Sequence, residues 1–105
     1  MPPITPQPLP PLPAVRVFEA AARHGSFTRA GEELGMTQAA VSYQIRLLED
    51  RVGLPLFRRG ARGVALTADG ARLAERAGEA LEILRQAFAE IRREGDETLV
   101  ISALA

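Results

Sequence analysis

A chain of 105 residues forms one small domain with a modest core and is expected to lean on a partner surface. It has no Cys and no apolar run near the roughly 20 residues that span a bilayer, which excludes disulfides, thiolate metal sites and a membrane helix. No charged segment followed by an apolar one marks a signal peptide, so a cytoplasmic setting is expected. The formal net charge of zero, taken whole, argues against a nucleic-acid binder, but the 13 basic residues, all Arg, are unevenly placed. Residues 14–67 carry a net +3 and residues 68–105 a net −3, the asymmetry of a basic head on an acidic stalk.

Seven of the first 13 residues are Pro, leaving too little apolar area and too few backbone donors to fold, so residues 1–9 are expected to be a disordered or polyproline II tail. Pro13 suits the first position of a helix, and Ala14 to Arg23 places Val15, Phe18 and Ala22 at helical spacing before Gly25. Ser26 can cap a second helix, Phe27 to Leu34, with Phe27, Ala30 and Leu34 inward and Gly35 as a left-handed stop. Thr37 can cap a third, with Met36 and Val41 set as a hydrophobic staple. This helix runs to about Val52 with a buried stripe of Val41, Ile45, Leu48 and Val52, ending at Gly53 and Pro55.

Two short β-prone pieces follow, Leu56 to Arg58 and Val64 to Leu66, joined by a glycine-bearing loop over residues 59–63. Thr67 can cap a long helix to about Arg93, along which Ala74, Ala77, Leu81, Leu84, Phe88 and Ile91 form a coiled-coil-like seam. Gly95 is expected to break it, and Thr98 to Ala105 reads as an apolar strand, the first of a missing domain. The expected fold class is mainly α: a winged helix-turn-helix over residues 10–67, a dimerisation helix over 68–94, and a hinge with a first strand over 95–105.

With Val41, Ile45 and Leu48 turned inward, Ala39, Tyr43 and Arg46 lie near the opposite face of the third helix, whose amino-terminal half carries no acid before Glu49. Its first three turns span roughly 16 Å, enough to cross a DNA major groove about 12 Å wide. Gln38 can pair with adenine N6 and N7, and Arg46 with guanine O6 and N7 or with a phosphate. Candidate base contacts are therefore Gln38, Ala39, Tyr43 and Arg46. Candidate phosphate contacts are Ser26, Thr28, Thr37, Ser42 and the hairpin residues Arg58, Arg59 and Arg62, which can also enter a narrow minor groove. The plainer alternative is that these are solvated polar positions on a three-helix core. Cap, staple, glycine turn, acid-free face and Arg-bearing hairpin in this order favour the DNA reading.

The segment VFEAAARHGSFTRAGEELGMTQAAVSYQIRLLEDRVGLPLFRRGARGVALTADG resembles the DNA-binding domain of LysR-type transcriptional regulators, above all the glycine-cleavage and β-lactamase regulator subgroup. The resemblance covers about Leu9 to Arg93 and is most specific in SFTRAGEEL, TQAAVSYQI-x-x-LE and LF-x-R. It implies a linker helix pairing antiparallel in a homodimer and an effector domain of periplasmic-binding-protein type, of which this chain holds only the start. It implies recognition residues Gln38, Ala39, Ser42, Tyr43 and Arg46, with wing arginines Arg59 and Arg62. Ala39 stands where Ser or Pro is common and offers only a methyl, and Tyr43 stands where Arg is common. The expected partner is double-stranded DNA bearing an interrupted inverted repeat, read in successive major grooves about 34 Å apart. A full-length parent is expected to form a tetramer and to bind a small-molecule effector.

His24, the only histidine, ends the first helix where a cation suits the dipole, and with no Cys it cannot build a metal site. Glu79, Glu82, Arg85 and Glu90 flank the seam as solvated charges. No nucleophile–base set, catalytic carboxylate pair or phosphate-cradling loop is present, so neither an enzyme nor a cofactor is expected. The rival readings are a winged helix used for protein–protein assembly without DNA, and a winged-helix DNA binder of another family with a different dimer.

Overall fold

The computed structural model describes the backbone of residues 8–104 and the side chains of residues 8–95. Residues 1–7 of the expected tail lie outside the described residues. The order is α1 (Leu12–His24), α2 (Phe27–Leu34), α3 (Gln38–Val52), β1 (Phe57–Gly60), β2 (Gly63–Leu66) and α4 (Ala68–Leu104), a winged helix-turn-helix carrying a long helix.

Local chemistry sets the helix boundaries. Pro13 sits in the first turn of α1, where an absent amide loses no bond, although the helix already begins at Leu12. The Ser26 hydroxyl accepts from the Arg29 amide and the Thr37 hydroxyl from the Ala40 amide, each at 3.1 Å, so both expected caps form. Gly35 closes α2 at a φ of 67°, a conformation open to glycine without strain.

α1 packs against α2, α3 and α4, so it is the central post of the head. The largest fully buried side chains are Phe18, Val41, Ile45 and Leu56. Val52, expected on the buried stripe, is 42% exposed because it lies in the last turn of α3, one turn past Leu48, where no described element covers it.

β1 and β2 pair antiparallel with Phe57 opposite Leu66 and Gly60 opposite Gly63. The connecting loop is therefore only Ala61 and Arg62, shorter than the five residues expected, because Gly63 takes a φ of 115° and closes a tight hairpin. Phe57 turns inward and its ring meets Phe18 edge-on at 5.6 Å and Phe27 at 5.2 Å.

Two further ties hold the hairpin root. The Glu49 carboxylate, near the end of α3, accepts from the amides of Leu56 at 2.7 Å and Phe57 at 3.3 Å. The Thr67 hydroxyl caps α4 by accepting from the Gly70 amide at 3.0 Å, and donates to the Pro55 carbonyl at 2.8 Å. Gly70 lies so close to the Leu56 carbonyl that a Cβ there would stand 2.0 Å from its oxygen.

α4 does not stop at Gly95. It runs to Leu104, so Thr98 to Leu104 are helical rather than a strand; Ala105 lies outside the described residues. A glycine inside a helix costs only about 1 kcal/mol against alanine, which helix formers such as Glu94, Glu97 and Leu99 offset. A lone strand, by contrast, has no neighbouring ladder to satisfy its amides. No helix among the described residues is long and apolar enough to cross a membrane.

The close approach of Gly70 reverses the usual sign of a helical glycine substitution. Gly70→Ala is expected to lower stability by about 1–3 kcal/mol through overpacking, whereas Gly95→Ala, whose Cβ meets nothing within 4 Å, should gain up to about 1 kcal/mol. Urea unfolding midpoints of the two variants check this.

Candidate nucleic-acid interface

The turn between α2 and α3 is fixed by backbone. The Met36 amide donates to the Gly31 carbonyl at 2.8 Å, and a Cβ on Gly31 would stand 2.4 Å from the Met36 oxygen, so the two helices close on a contact that only hydrogen fits. Val41, Ile45 and Leu48 face the core, and helical geometry then turns Gln38, Ala39, Tyr43 and Arg46 outward, where all four are exposed. Ser42 is half-buried on the flank of that face, and Thr28 is exposed near the start of α2. The Ser26 and Thr37 oxygens accept the cap bonds already described, which leaves each hydroxyl proton free to donate outward.

In the wing, alternation along β1 separates two neighbouring arginines. Arg59 shares the face of Phe57, and its guanidinium lies 5.4 Å from the centre of the Phe27 ring, a cation–π geometry. Arg58 lies on the other face, paired with Ala65 across the hairpin, and Arg62 occupies the loop. All three are exposed and line one open concavity.

Charge pairing is distributed unevenly. Of the eight arginines in residues 14–67, only Arg23 joins an ion pair among the described residues. Arg46, Arg58, Arg59 and Arg62 face solvent with no carboxylate partner among the described residues. Arg23 bridges Glu19 at 3.0 Å and Glu33 at 2.7 Å, and His24 Nε2 lies 3.0 Å from Glu33. The Arg23 hydrogen bonds, then that of His24, draw the Glu33 carboxyl down to about 2, and those two glutamates push the Arg23 guanidinium up. The remaining bridges lie along α4: Arg72 with Asp69, Arg76 with Glu79, and Arg85 with Glu82.

The sequence model for the bacterial regulatory helix-turn-helix proteins of the LysR family matches residues 12–71. The chain belongs to the LysR family. Among curated LysR-family relatives, it is 53% identical over 89 residues to the HTH-type transcriptional regulator TrpI of Pseudomonas aeruginosa, covering 85% of this chain and 30% of that protein. It is 68% identical over 62 residues to the glycine cleavage system transcriptional activator of Escherichia coli strain K12, covering 59% of this chain and 20% of that one. The chain thus spans a fifth to about a third of the length of these relatives.

Among solved structures, the BenM DNA-binding domain in complex with catB site 1 DNA matches with a TM-score of 0.73 and 33% identity over 78% of this chain and 92% of that one. The CbnR DNA-binding domain in complex with DNA matches with a TM-score of 0.70 and 29% identity over 79% and 95%. The winged helix with its long carboxy-terminal helix is the LysR arrangement seen in those chains.

Three working residues of the head, two beside the interface and one in the Arg23 cluster, are not legible as such in the sequence. Glu49 was visible only as an acid near the helix exit, Phe27 only as core, and Glu33 only as one of two acids on α2. Each acts on a partner seven or more positions away, and no periodicity or cap pattern encodes that.

The clamp on Glu33 has a definite pH signature. Its folded carboxyl titrates below the ordinary 4.5, so its contribution is complete above that pH and is lost as the pH falls toward about 2. The pair is half exposed, so the effect is modest. Glu33→Gln is expected to melt below the parent at pH 7, with the difference closing between pH 4.5 and 2; thermal midpoints across that range check this.

Proposed function

We propose that the chain binds double-stranded DNA sequence-specifically as a homodimer, as the DNA-contacting part of a LysR-type transcription regulator. The observation that carries the reading is the partition of arginines. Among the described residues seven of the eight arginines of residues 14–67 have no carboxylate partner, Arg46, Arg58, Arg59 and Arg62 on the outer face of α3 and the wing among them, while the one paired arginine, Arg23, lies with His24 and Glu33 at the far ends of α1 and α2. An unneutralised cation on an acid-free helix face is suited to phosphate, and it supplies affinity that falls with salt. That two structural neighbours are DNA-binding domains in complex with DNA supports the DNA reading.

In this reading Gln38, Ala39, Tyr43 and Arg46 meet base edges in the major groove. Ser26, Thr28, Thr37 and Ser42, with Arg58, Arg59 and Arg62, meet phosphates or the adjoining minor groove. The dimer forms through α4. Ala77 and Leu81 are already buried within the chain and Ala74 is half-buried, so a partner helix meets the seam from Leu84 outward, where Leu84, Phe88 and Ile91 are 42%, 58% and 63% exposed. Antiparallel pairing there sets two recognition helices on an interrupted inverted repeat. In a longer regulator a further domain would bind the small effector and add the second interface of a tetramer.

Titration of labelled duplex at several salt concentrations tests the reading. Affinity is expected to fall steeply with salt, and Arg62→Ala to lower the slope of log K against log salt by about 0.9 per protomer, or about 1.8 for the dimer. Arg46→Ala should lose about 1–3 kcal/mol of discrimination at one base pair of each half-site. Salt-insensitive binding, or no effect of either change, would point instead to a protein–protein module. The chain has no native Cys, so a lone Leu84→Cys near the middle of α4 should trap a disulfide dimer under mild oxidation. Absence of that product would overturn the antiparallel arrangement.

A further inference from the structure

Arg58 and Arg59 are adjacent and both exposed, neither joins an ion pair among the described residues, and of the two the family resemblance implies only Arg59 as a wing arginine, without a physical reason for the difference. Their surroundings differ. The two-residue period of β1 puts Arg59 on the face of Phe57, where its guanidinium rests over the ring of Phe27 at 5.4 Å. Phe27 is the first residue of α2, only 6% exposed, and its ring is held perpendicular to Phe57 with centroids 5.2 Å apart. Phe57 in turn meets Phe18 at 5.6 Å. A chain of three packed rings thus runs from the centre of the core to one cation of the wing.

We infer that Phe27 is a positioning residue for DNA binding: its ring holds the Arg59 guanidinium beside the start of α2, so that Arg59, and not Arg58, is the wing cation fixed in register with the helix-turn-helix. This rests on the DNA-binding reading above. A free arginine side chain loses much rotamer freedom when it grips a phosphate. A planar guanidinium already lying on an aromatic face has lost part of that freedom before DNA arrives, and a cation–π contact leaves its edge donors free to bond an anion. Arg58 lies on the opposite face of the strand, across from Ala65, with no aromatic ring beneath its guanidinium among the described residues. It meets DNA as a charge that no ring holds in place.

The experiment is a double-mutant cycle on duplex binding with Phe27→Leu, Arg59→Ala and the double variant, accompanied by Arg58→Ala and Phe27→Tyr. Phe27→Leu is expected to weaken binding by the folded protein about two- to fivefold, and to add nothing once Arg59 is Ala. Phe27→Tyr, which keeps the ring, should bind as the parent does, and Arg59→Ala should weaken binding more than Arg58→Ala. An equal loss from Phe27→Leu in both backgrounds, or a Tyr variant as weak as Leu, overturns the inference. Because Phe27 is also core, a second measurement avoids substituting it: the Arg59 side-chain protons of the DNA-free parent should show upfield ring-current shifts absent from Arg58. Unshifted Arg59 protons overturn the inference even if Phe27→Leu fails to fold. No salt-dependent binding by the parent removes the DNA reading and this inference together, whereas binding without coupling removes this inference alone.

Discussion

Phe57 opens β1 with its ring between Phe18 of α1 and Phe27 of α2, while its backbone amide and that of Leu56 are bonded to the Glu49 carboxylate of α3. One residue thereby ties three helices to the hairpin. Edge-to-face aromatic pairs contribute about 0.5–1.5 kcal/mol each beyond burial, and the loss of a partly buried acceptor costs about 1–3 kcal/mol. Neither sum is large, but both act at the same point. Without that joint the hairpin would be an isolated two-stranded ribbon, which is at best marginal in water. With it, the outer face of α3 and the arginines of the wing belong to one rigid surface.

The charges divide along the same lines. Arg23, Glu19, Glu33 and His24 join the carboxy-terminal ends of α1 and α2 and are satisfied among themselves. The outer face of α3 and the wing carry cations without a carboxylate partner among the described residues. A net charge of zero therefore describes neither part of the molecule, because the acids are concentrated on α4 and in that cluster. Since every cation but His24 is arginine, the basic face keeps its charge across the range in which proteins are folded.

What the sequence made legible was local. Ser26, Thr37 and Thr67 each lie three positions before the amide they cap, and their helices begin where the hydroxyls stand. The apolar spacing in α3 gives Val41, Ile45 and Leu48 correctly and, by subtraction, the outward face of Gln38, Ala39, Tyr43 and Arg46. The family resemblance, carried by those segments, agrees with the match over residues 12–71. The errors come where neighbours in space decide. Val52 fits the stripe but has nothing over it. Gly95 looks like a stop, yet one glycine is a small penalty against a helix already propagating from both sides. Gly70 reads as a weak helical position and is instead the place where α4 touches the backbone of Leu56. The seam from Ala74 to Ile91 reads as one surface, although its near part covers the chain's own α1 and only its far part is bare.

That backbone contact at Gly70 makes α4 a lever with a stiff fulcrum. Thirty-seven residues of helix extend roughly 55 Å at 1.5 Å per residue, and the near end is bolted to the root of the wing by Thr67 and Gly70, while the buried Ala77 and Leu81 lie along the part of α4 that packs on α1. No side chain lies between Gly70 and Leu56 to absorb a tilt. A rotation of a few degrees at the far end must therefore either turn the whole wing with it or break the fulcrum. Small angular changes imposed along the helix arrive at the arginines of the hairpin as a change of pose rather than being lost in a soft joint.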